Sequence, residues 1–597
     1  MSAHDWLDSA RRRGVLDALD VMLAQSLVEK AGGKNEQLLW LTALLSYQHR
    51  QGHVCIDLQR PPALAFDQPD CPWQLPSHEQ LQTLSSPLLG KPGDKCPLVL
   101  DGPRLYLRRH WSAEQSVAQA LRDRCISQAH DAAALKQITE SIFGERADLW
   151  QRAAAVNCAL HKFGVITGGP GTGKTWTVTR MLALQCLLAQ HAERPLPRIA
   201  MAAPTGKAAA RLTEALQAAL PDLPVADSIK AMLPEEAVTL HRLLAMDMHG
   251  APRHHRERPL PYDLVVVDEA SMIDLGLMAQ LTAALPDEAS LYLVGDRDQL
   301  ASVQAGSVFA DVCGDADNQF NADTAARLQQ VGIDVPVNAQ ALPIDSAVVR
   351  LQTVHRFAGD SAIAAMANAV RSHDGQALAN LRDAPHDDLD WLQASSEAIL
   401  DTMCEHYKPL VQAALDHADA ETLLASFARF RVLAATRRGP LGVESLNERL
   451  EEHLRQQFGL GTARWYPGKT VMLKHNDWNL RLFNGDIGIC VKDRASDELG
   501  VAFPAADGGV RFVAPARLPD CDPAWAMTIH KSQGSEFHRV LLVLPGDDSP
   551  VLTRELLYTG ITRAREHLMM AASPAQLSAC MARPVYRASG LYQRLRD

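Results

Sequence analysis

Two hydrophobic rhythms divide the chain. Near the N-terminus apolar residues recur at helical spacing, in Val15-Leu16-Asp17-Ala18-Leu19-Asp20-Val21-Met22-Leu23 and in Gln37-Leu38-Leu39-Trp40-Leu41-Thr42-Ala43-Leu44-Leu45, and a Pro-rich tract from Arg60 to Pro76 interrupts the pattern. This predicts a small helical domain over residues 1–110. From about residue 115 short apolar runs alternate with helical stretches, as in a parallel α/β sheet. Strands are expected at 164–167, 198–203, 264–268 and 291–295, each running into polar or glycine-rich residues. A second set at 430–436, 540–544 and 568–572 predicts a second α/β domain after residue 345. Inside it, residues 467–518 carry short strand patterns at 469–473 and 487–491 with turn signals at Asn484-Gly485-Asp486 and Asp507-Gly508-Gly509, the pattern of a small inserted β-barrel. The expected layout is 1–110, 111–345 and 346–597, with the barrel near 440–520.

The 597 residues exceed what one core serves, at about 150 residues per domain. The 47% hydrophobic and 22% charged content is that of a folded soluble protein. No basic-then-apolar leader opens the sequence and no apolar run reaches membrane-spanning length, so the expected compartment is the cytoplasm. The 11 cysteines are scattered without a C-x-x-C pair, which supports neither a zinc site nor a disulfide framework. A net charge of −11 argues against a dedicated polyanion binder, but not against a motor that grips a few phosphates in a cleft.

The strongest chemical signal is Gly168-Gly169-Pro170-Gly171-Thr172-Gly173-Lys174-Thr175, set between an apolar strand and a helix-forming run from Val178 to Ala189. Glycines allow backbone N–H groups to converge on phosphates, and the helix N-terminus adds its positive dipole end. Lys174 is expected on the β- and γ-phosphates of a nucleoside triphosphate and Thr175 on Mg2+. A second signal is the run Leu264-Val265-Val266-Val267-Asp268-Glu269. Adjacent carboxylates at a strand tip are costly unless a cation shares them. Asp268 is therefore expected to hold the water shell of Mg2+ and Glu269 to polarise the attacking water. Gly295-Asp296-Arg297-Asp298-Gln299 repeats this on a neighbouring strand, with Gln299 as a candidate γ-phosphate sensor.

These motifs, taken with Ala203-Pro204-Thr205-Gly206-Lys207, Thr239-Leu240-His241-Arg242, His355-Arg356-Phe357, Thr528-Ile529-His530-Lys531-Ser532-Gln533-Gly534 and Tyr558-Thr559-Gly560-Ile561-Thr562-Arg563, resemble the ordered motif set of superfamily 1 helicases. Within it, Glu444-Ser445-Leu446-Asn447, Leu482-Phe483-Asn484-Gly485-Asp486-Ile487-Gly488 and His530-Lys531-Ser532-Gln533-Gly534-Ser535-Glu536-Phe537 are similar to the RecD family, the alpha subunits of exodeoxyribonuclease V. The likeness runs from about Leu105 to the C-terminus and more weakly before it.

The resemblance implies two RecA-like motor domains, an SH3-like barrel in the second, and ATP and Mg2+ as cofactors. It implies that Gln151 reads the adenine and that Arg356 and Arg563 reach the γ-phosphate across the domain cleft. It places Thr205, His241, Thr528, His530 and Ser532 along a single-strand DNA channel, and a duplex-splitting hairpin near 245–260. The activity implied is 5′-to-3′ DNA unwinding at double-strand ends, in a heterotrimer with RecB- and RecC-like subunits. No acidic cluster has nuclease spacing, so the nuclease site is expected in a partner. A stand-alone RecD-like helicase and a non-catalytic assembly subunit remain the alternatives, though about 110 N-terminal residues leave little room for the extra elements of the first. The apolar faces around Trp40, Leu41, Leu44 and Leu45 are expected to dock the N-terminal domain on a partner.

Overall fold

The structure, a computed structural model, describes every residue except 1, 33–34, 62–73, 145–146, 316, 356–360, 478, 493–497, 506–508 and 547–548. The molecule is mixed α/β and contains two parallel sheets. The first has six strands, in the order Val348–Arg350, Phe163–Thr167, Ser290–Gly295, Leu264–Val267, Ile199–Ala203 and Val238–Thr239. Its strands are continuous apolar runs because both faces are covered. Val265 and Val267 enter the core on one face while Leu264 and Val266 enter the core on the other, as the two-residue period of a strand requires.

The second parallel sheet runs Leu389–Leu392, Ala564–Ala571, Phe537–Val543, Phe430–Ala434 and Ala526–Thr528. Between its parts lies an antiparallel five-stranded sheet, Val510–Val513, Leu499–Pro504, Ile487–Lys492, Thr470–Leu473 and Cys521–Pro523. Val471, Leu473, Cys490, Val501 and Phe503 form its own small core. No described helix is long and apolar enough to cross a membrane.

Five expectations are corrected. The N-terminal region is not purely helical: four strands, Cys55–Asp57, Leu89–Gly90, Leu98–Asp101 and Arg104–Leu107, pack beside helices such as Ala18–Lys30 and Glu36–Arg50. The signal was there, since Gly102-Pro103 joins two apolar strands in a two-residue hairpin with Gly102 at φ 51°. Second, Val348–Arg350 belongs to the first sheet, so the first domain extends past residue 345. Third, the inserted sheet begins at Thr470, because Leu446, Leu450 and Leu454 of the helix Val443–Phe458 are spent in the core of the second parallel sheet. Fourth, the last residues do not stay with the second domain. Ala588, Leu591 and Leu595 join the core beneath the first sheet, and buried Glu114 accepts from Ser589 Oγ (2.7 Å), Gly590 N (2.7 Å) and Arg594 Nε (3.2 Å). The docking role expected of Trp40, Leu41, Leu44 and Leu45 also falls, because these side chains are 0–2% exposed and fill the N-terminal core itself.

The C-terminal tail also creates a pH dependence. His53 Nδ1 accepts from Ala588 N at 2.9 Å, and burial, helped by the nearby Arg587 charge, lowers its pKa from 6.5 to about 4. Below pH 6.5 the unfolded chain takes up this proton before the folded one, so stability present at neutral pH is lost as pH falls towards 4. The loss expected from His53 is about 2 kcal/mol by pH 5. Urea midpoints at pH 7 and pH 5 check it: His53→Gln should show a smaller acid loss than the wild type.

Candidate nucleotide site and the interface that closes it

The buried strand Phe163–Thr167 ends at the carboxyl edge of the first sheet, and residues 168–173 wrap from there into the helix Lys174–His191. The wrap holds Gly171 at φ 80° and Gly173 at φ 81°, left-handed backbone that glycine adopts without strain. A Cβ on Gly168 would lie 2.7 Å from the Thr172 hydroxyl. Lys174 Nζ donates to the Gly168 carbonyl at 2.7 Å and the Gly169 carbonyl at 3.1 Å. The ammonium thus rests on the loop's own carbonyls, where phosphate oxygens can compete for it. Together with the free N–H groups of a helix N-terminus, these residues fit the phosphate chain of a nucleotide.

Asp268 and Glu269 follow the strand Leu264–Val267, two strands from the phosphate loop. Asp268 Oδ1 accepts from Glu269 N at 2.8 Å, and Glu269 sits at φ 51°, a left-handed conformation costly for a side chain of its kind. Burial first and the Glu269 charge second raise the Asp268 pKa, while Lys174 opposes them. A divalent cation shared by Asp268 and the half-buried Thr175 would relieve that cost, and Mg2+ is content with few protein ligands because it keeps waters.

On the adjacent strand tip, Asp296 is 2% exposed. Its Oδ2 accepts from Gln299 Nε2 at 3.0 Å and from the Tyr558 hydroxyl at 3.2 Å. Gln299, the expected sensor, is therefore committed to Asp296 in this structure. Burial and then Asp298 raise the Asp296 pKa, with Lys174 opposing. Gln151 lies at the other end of the loop, with Nε2 3.3 Å from the Thr172 carbonyl and 3.3 Å from His355 Nε2. His355 N donates to Gly171 O at 2.8 Å, so His355 and Gln151 together border the loop's far end. Arg356 lies outside the described residues.

Hydrogen bonds from the second sheet's body close the site. Leu300 N donates to Thr559 Oγ1 (3.0 Å), Gln533 Nε2 to Leu300 O (3.1 Å), and Arg211 Nη1 to Gly534 O (2.6 Å). Arg563 is 2% exposed and donates to the Thr559 and Ser535 carbonyls at 3.1 and 2.9 Å. It shares an electrostatic neighbourhood with Glu269, because both act on half-buried Arg211.

The expected DNA residues separate. Thr205 caps the helix Gly206–Ala219 through its hydroxyl, which accepts from Ala208 N at 3.2 Å, and Phe483 of the inserted sheet packs on Gly206. His241 is exposed and His530 half-buried, with burial lowering the latter's pKa. Thr528 Oγ1 accepts from Lys531 N at 3.3 Å. Ser532 is a correction: it is 0% exposed and its hydroxyl donates to Ile529 O at 2.7 Å, so that side chain braces its own turn and faces no channel.

Comparison with known proteins agrees with this arrangement. Family models described as the AAA domain, the N-terminal domain of RecBCD enzyme subunit RecD, and the UvrD-like helicase C-terminal domain match residues 151–305, 12–106 and 523–571. RecBCD enzyme subunit RecD of Mycolicibacterium smegmatis is 38% identical over 586 residues, covering 98% of this chain and 98% of that protein. The chain belongs to the RecD family of superfamily 1 helicases. The RecBCD enzyme subunit RecD of Haemophilus influenzae is 33% identical, covering 94% of each chain. The ATP-dependent RecD2 DNA helicase of Deinococcus radiodurans is 30% identical over 83% of this chain and 59% of that protein.

Sequence reading assigned no role to Asp296, His355 or Tyr558 of this RecD-family chain, although all three stand in its motifs. Asp296 was the most accessible of them, since a carboxylate directly after an apolar strand repeats the pattern of Asp268. Glu269 carries a prediction of its own. Glu269→Gln keeps the side chain's shape but removes the charge that polarises water, so ATP should bind with near-normal affinity while turnover falls by about 10² to 10⁴. Nucleotide titration beside steady-state hydrolysis separates the two, and weakened binding would contradict the assignment.

Proposed function

We propose that the chain is an ATP-dependent DNA helicase and single-strand translocase, one motor subunit of a RecBCD-type helicase-nuclease that processes double-strand DNA ends for recombinational repair. The observation that carries this is the phosphate loop, with Asp268, Glu269, Asp296 and Gln299 at nearby strand ends, and with Asp296 and Leu300 bonded to Tyr558, Thr559 and Gln533 of the body built around a second parallel sheet. A site built from two bodies changes shape when its nucleotide is cleaved, which turns hydrolysis into relative movement. Lys174 binds the phosphates, Glu269 orients and deprotonates water, and Arg563 neutralises charge from the opposite side. Mg2+, held by Thr175 and by Asp268 through water, would supply charge neutralisation at the phosphates.

In this reading the two parallel sheets are RecA-like motor domains, and the antiparallel insertion is an SH3-like barrel beside the DNA path. Thr205, His241, Thr528 and His530 border that path, with backbone amides of the same turns gripping phosphates without reading sequence. The segment 245–260, whose His255 and Arg258 form an isolated bridge, is the duplex-splitting hairpin. Polarity is 5′ to 3′, the compartment is the cytoplasm, and RecB- and RecC-like subunits complete the heterotrimer, one of them bearing the nuclease. Support for the assembly is the near full-length likeness to RecBCD subunits.

The second reading, a stand-alone helicase, draws on the likeness to RecD2. One experiment decides between them: a tagged chain is purified from its host and tested on duplexes with a defined 5′ or 3′ overhang. Co-purification of two large subunits with 5′-overhang unwinding supports the first reading, and an active lone chain supports the second. Absence of DNA-stimulated hydrolysis would leave only a non-catalytic assembly subunit.

A further inference from the structure

The Arg554–Ile561 helix of the second body reaches the phosphate loop through one side chain. Tyr558 is 6% exposed, and its hydroxyl donates to Asp296 Oδ2 at 3.2 Å. The same hydroxyl lies against Gly169, where a Cβ would come within 2.8 Å of it. One group of the second body thus touches both the phosphate loop and the carboxylate that holds Gln299.

We propose that Tyr558 is a positioning residue: by donating to Asp296 it sets whether Gln299 is free to turn to the terminal phosphate. This rests on residues 168–175 being the ATP site. Asp296 has one side-chain donor from its own loop, Gln299 at 3.0 Å, and one from the opposite body, Tyr558. Both bonds end on Oδ2, while Oδ1 accepts from Asp298 N at 3.1 Å. A buried carboxylate oxygen left with a single donor holds it more firmly, because losing that donor too would leave that oxygen unsatisfied in a dry site. With Tyr558 in place, Asp296 can release Gln299 and remain bonded. Without the hydroxyl, Gln299 stays pinned to Asp296.

The direction of control follows from the topology. Near Gln299, the described hydrogen bonds of Leu300 with Thr559 and Gln533 also join this loop to the second body, but they involve the backbone of Leu300 alone. Only the Tyr558 bond ends on the carboxylate shared with Gln299. Sliding of the helix Arg554–Ile561 is therefore transmitted to the sensor through that one bond. Tyr558 also keeps its proton: burial, Asp296 and Asp298 all raise its pKa far above neutrality, against a smaller opposing effect of Arg371. It acts as a donor throughout.

The test is Tyr558→Phe in the full chain, with DNA-stimulated ATP hydrolysis and nucleotide binding measured alongside the wild type. Losing one hydrogen bond to a charged group at the chemical step predicts a kcat lowered about tenfold, with KM for ATP changed less than about twofold. Thr559→Val removes the neighbouring inter-body bond without touching Asp296, so it reports what interface loosening alone does; its kcat should fall by less than about threefold at a comparable fall in Tm. An unchanged kcat in Tyr558→Phe, or an equal loss in Thr559→Val, overturns the proposal. A wild-type chain that neither binds nor hydrolyses ATP would instead overturn the nucleotide-site reading beneath it.

Discussion

Lys174→Ala is expected to abolish DNA-stimulated ATP hydrolysis, with a loss of at least about 10³-fold, while the fold persists. The half-buried lysine packs into no hydrophobic core, and its ammonium bonds are to Gly168 O and Gly169 O. Those two bonds are the ones a nucleotide would replace, so their loss falls on phosphate binding and on the developing charge at the leaving oxygen. Neighbouring structure is unaffected because Thr172 Oγ1 to Gly169 O (2.9 Å) and Gly168 N to Gly295 O (3.1 Å) still fix the loop. Thermal midpoints of variant and wild type should agree within about 3 °C. Near-normal hydrolysis by the purified variant would remove the phosphate-loop assignment.

Arg563→Ala should slow hydrolysis by about 10³ to 10⁵ if the guanidinium stabilises the transition state from the second body. Nucleotide affinity should change far less. In this structure Arg563 is held by two carbonyls of its own body, at 3.1 and 2.9 Å, and its charge acts on Arg211. Removing it therefore also leaves two buried acceptors short, and Arg563→Lys serves as the companion variant. Lysine keeps the charge but cannot reproduce the planar fork, so it should stay stable and remain slow. Equal losses of affinity and turnover would make Arg563 a ground-state phosphate clamp.

Much of the nucleotide site was legible locally. A strand, a glycine-rich turn and a helix in direct succession must place Gly168–Thr175 at one sheet edge, because the motif carries its own geometry. The carboxylates at 268–269 were readable for the same reason: an apolar run that ends in two charges can only end at the rim of a buried strand. Continuous apolar strands implied parallel sheets, and the four strands expected for the first sheet all belong to it.

What only the tertiary structure decided are contacts between residues far apart in the chain. Asp296 and Tyr558 are 262 residues apart, and no local pattern ties a carboxylate on one sheet to a hydroxyl on a helix of another body. Ser532 reads like any polar residue of its motif, yet the turn after Ile529 points its hydroxyl inward to the backbone. Val348–Arg350 is too short to announce a strand and is defined by pairing with Val165–Thr167. The C-terminal tail leaves the second body because Glu114, fully buried, needs the donors that Ser589, Gly590 and Arg594 bring. Local sequence determines where a phosphate can bind, since backbone conformation is a near-neighbour property; packing decides which distant side chains govern it, since burial and desolvation are properties of the assembled molecule.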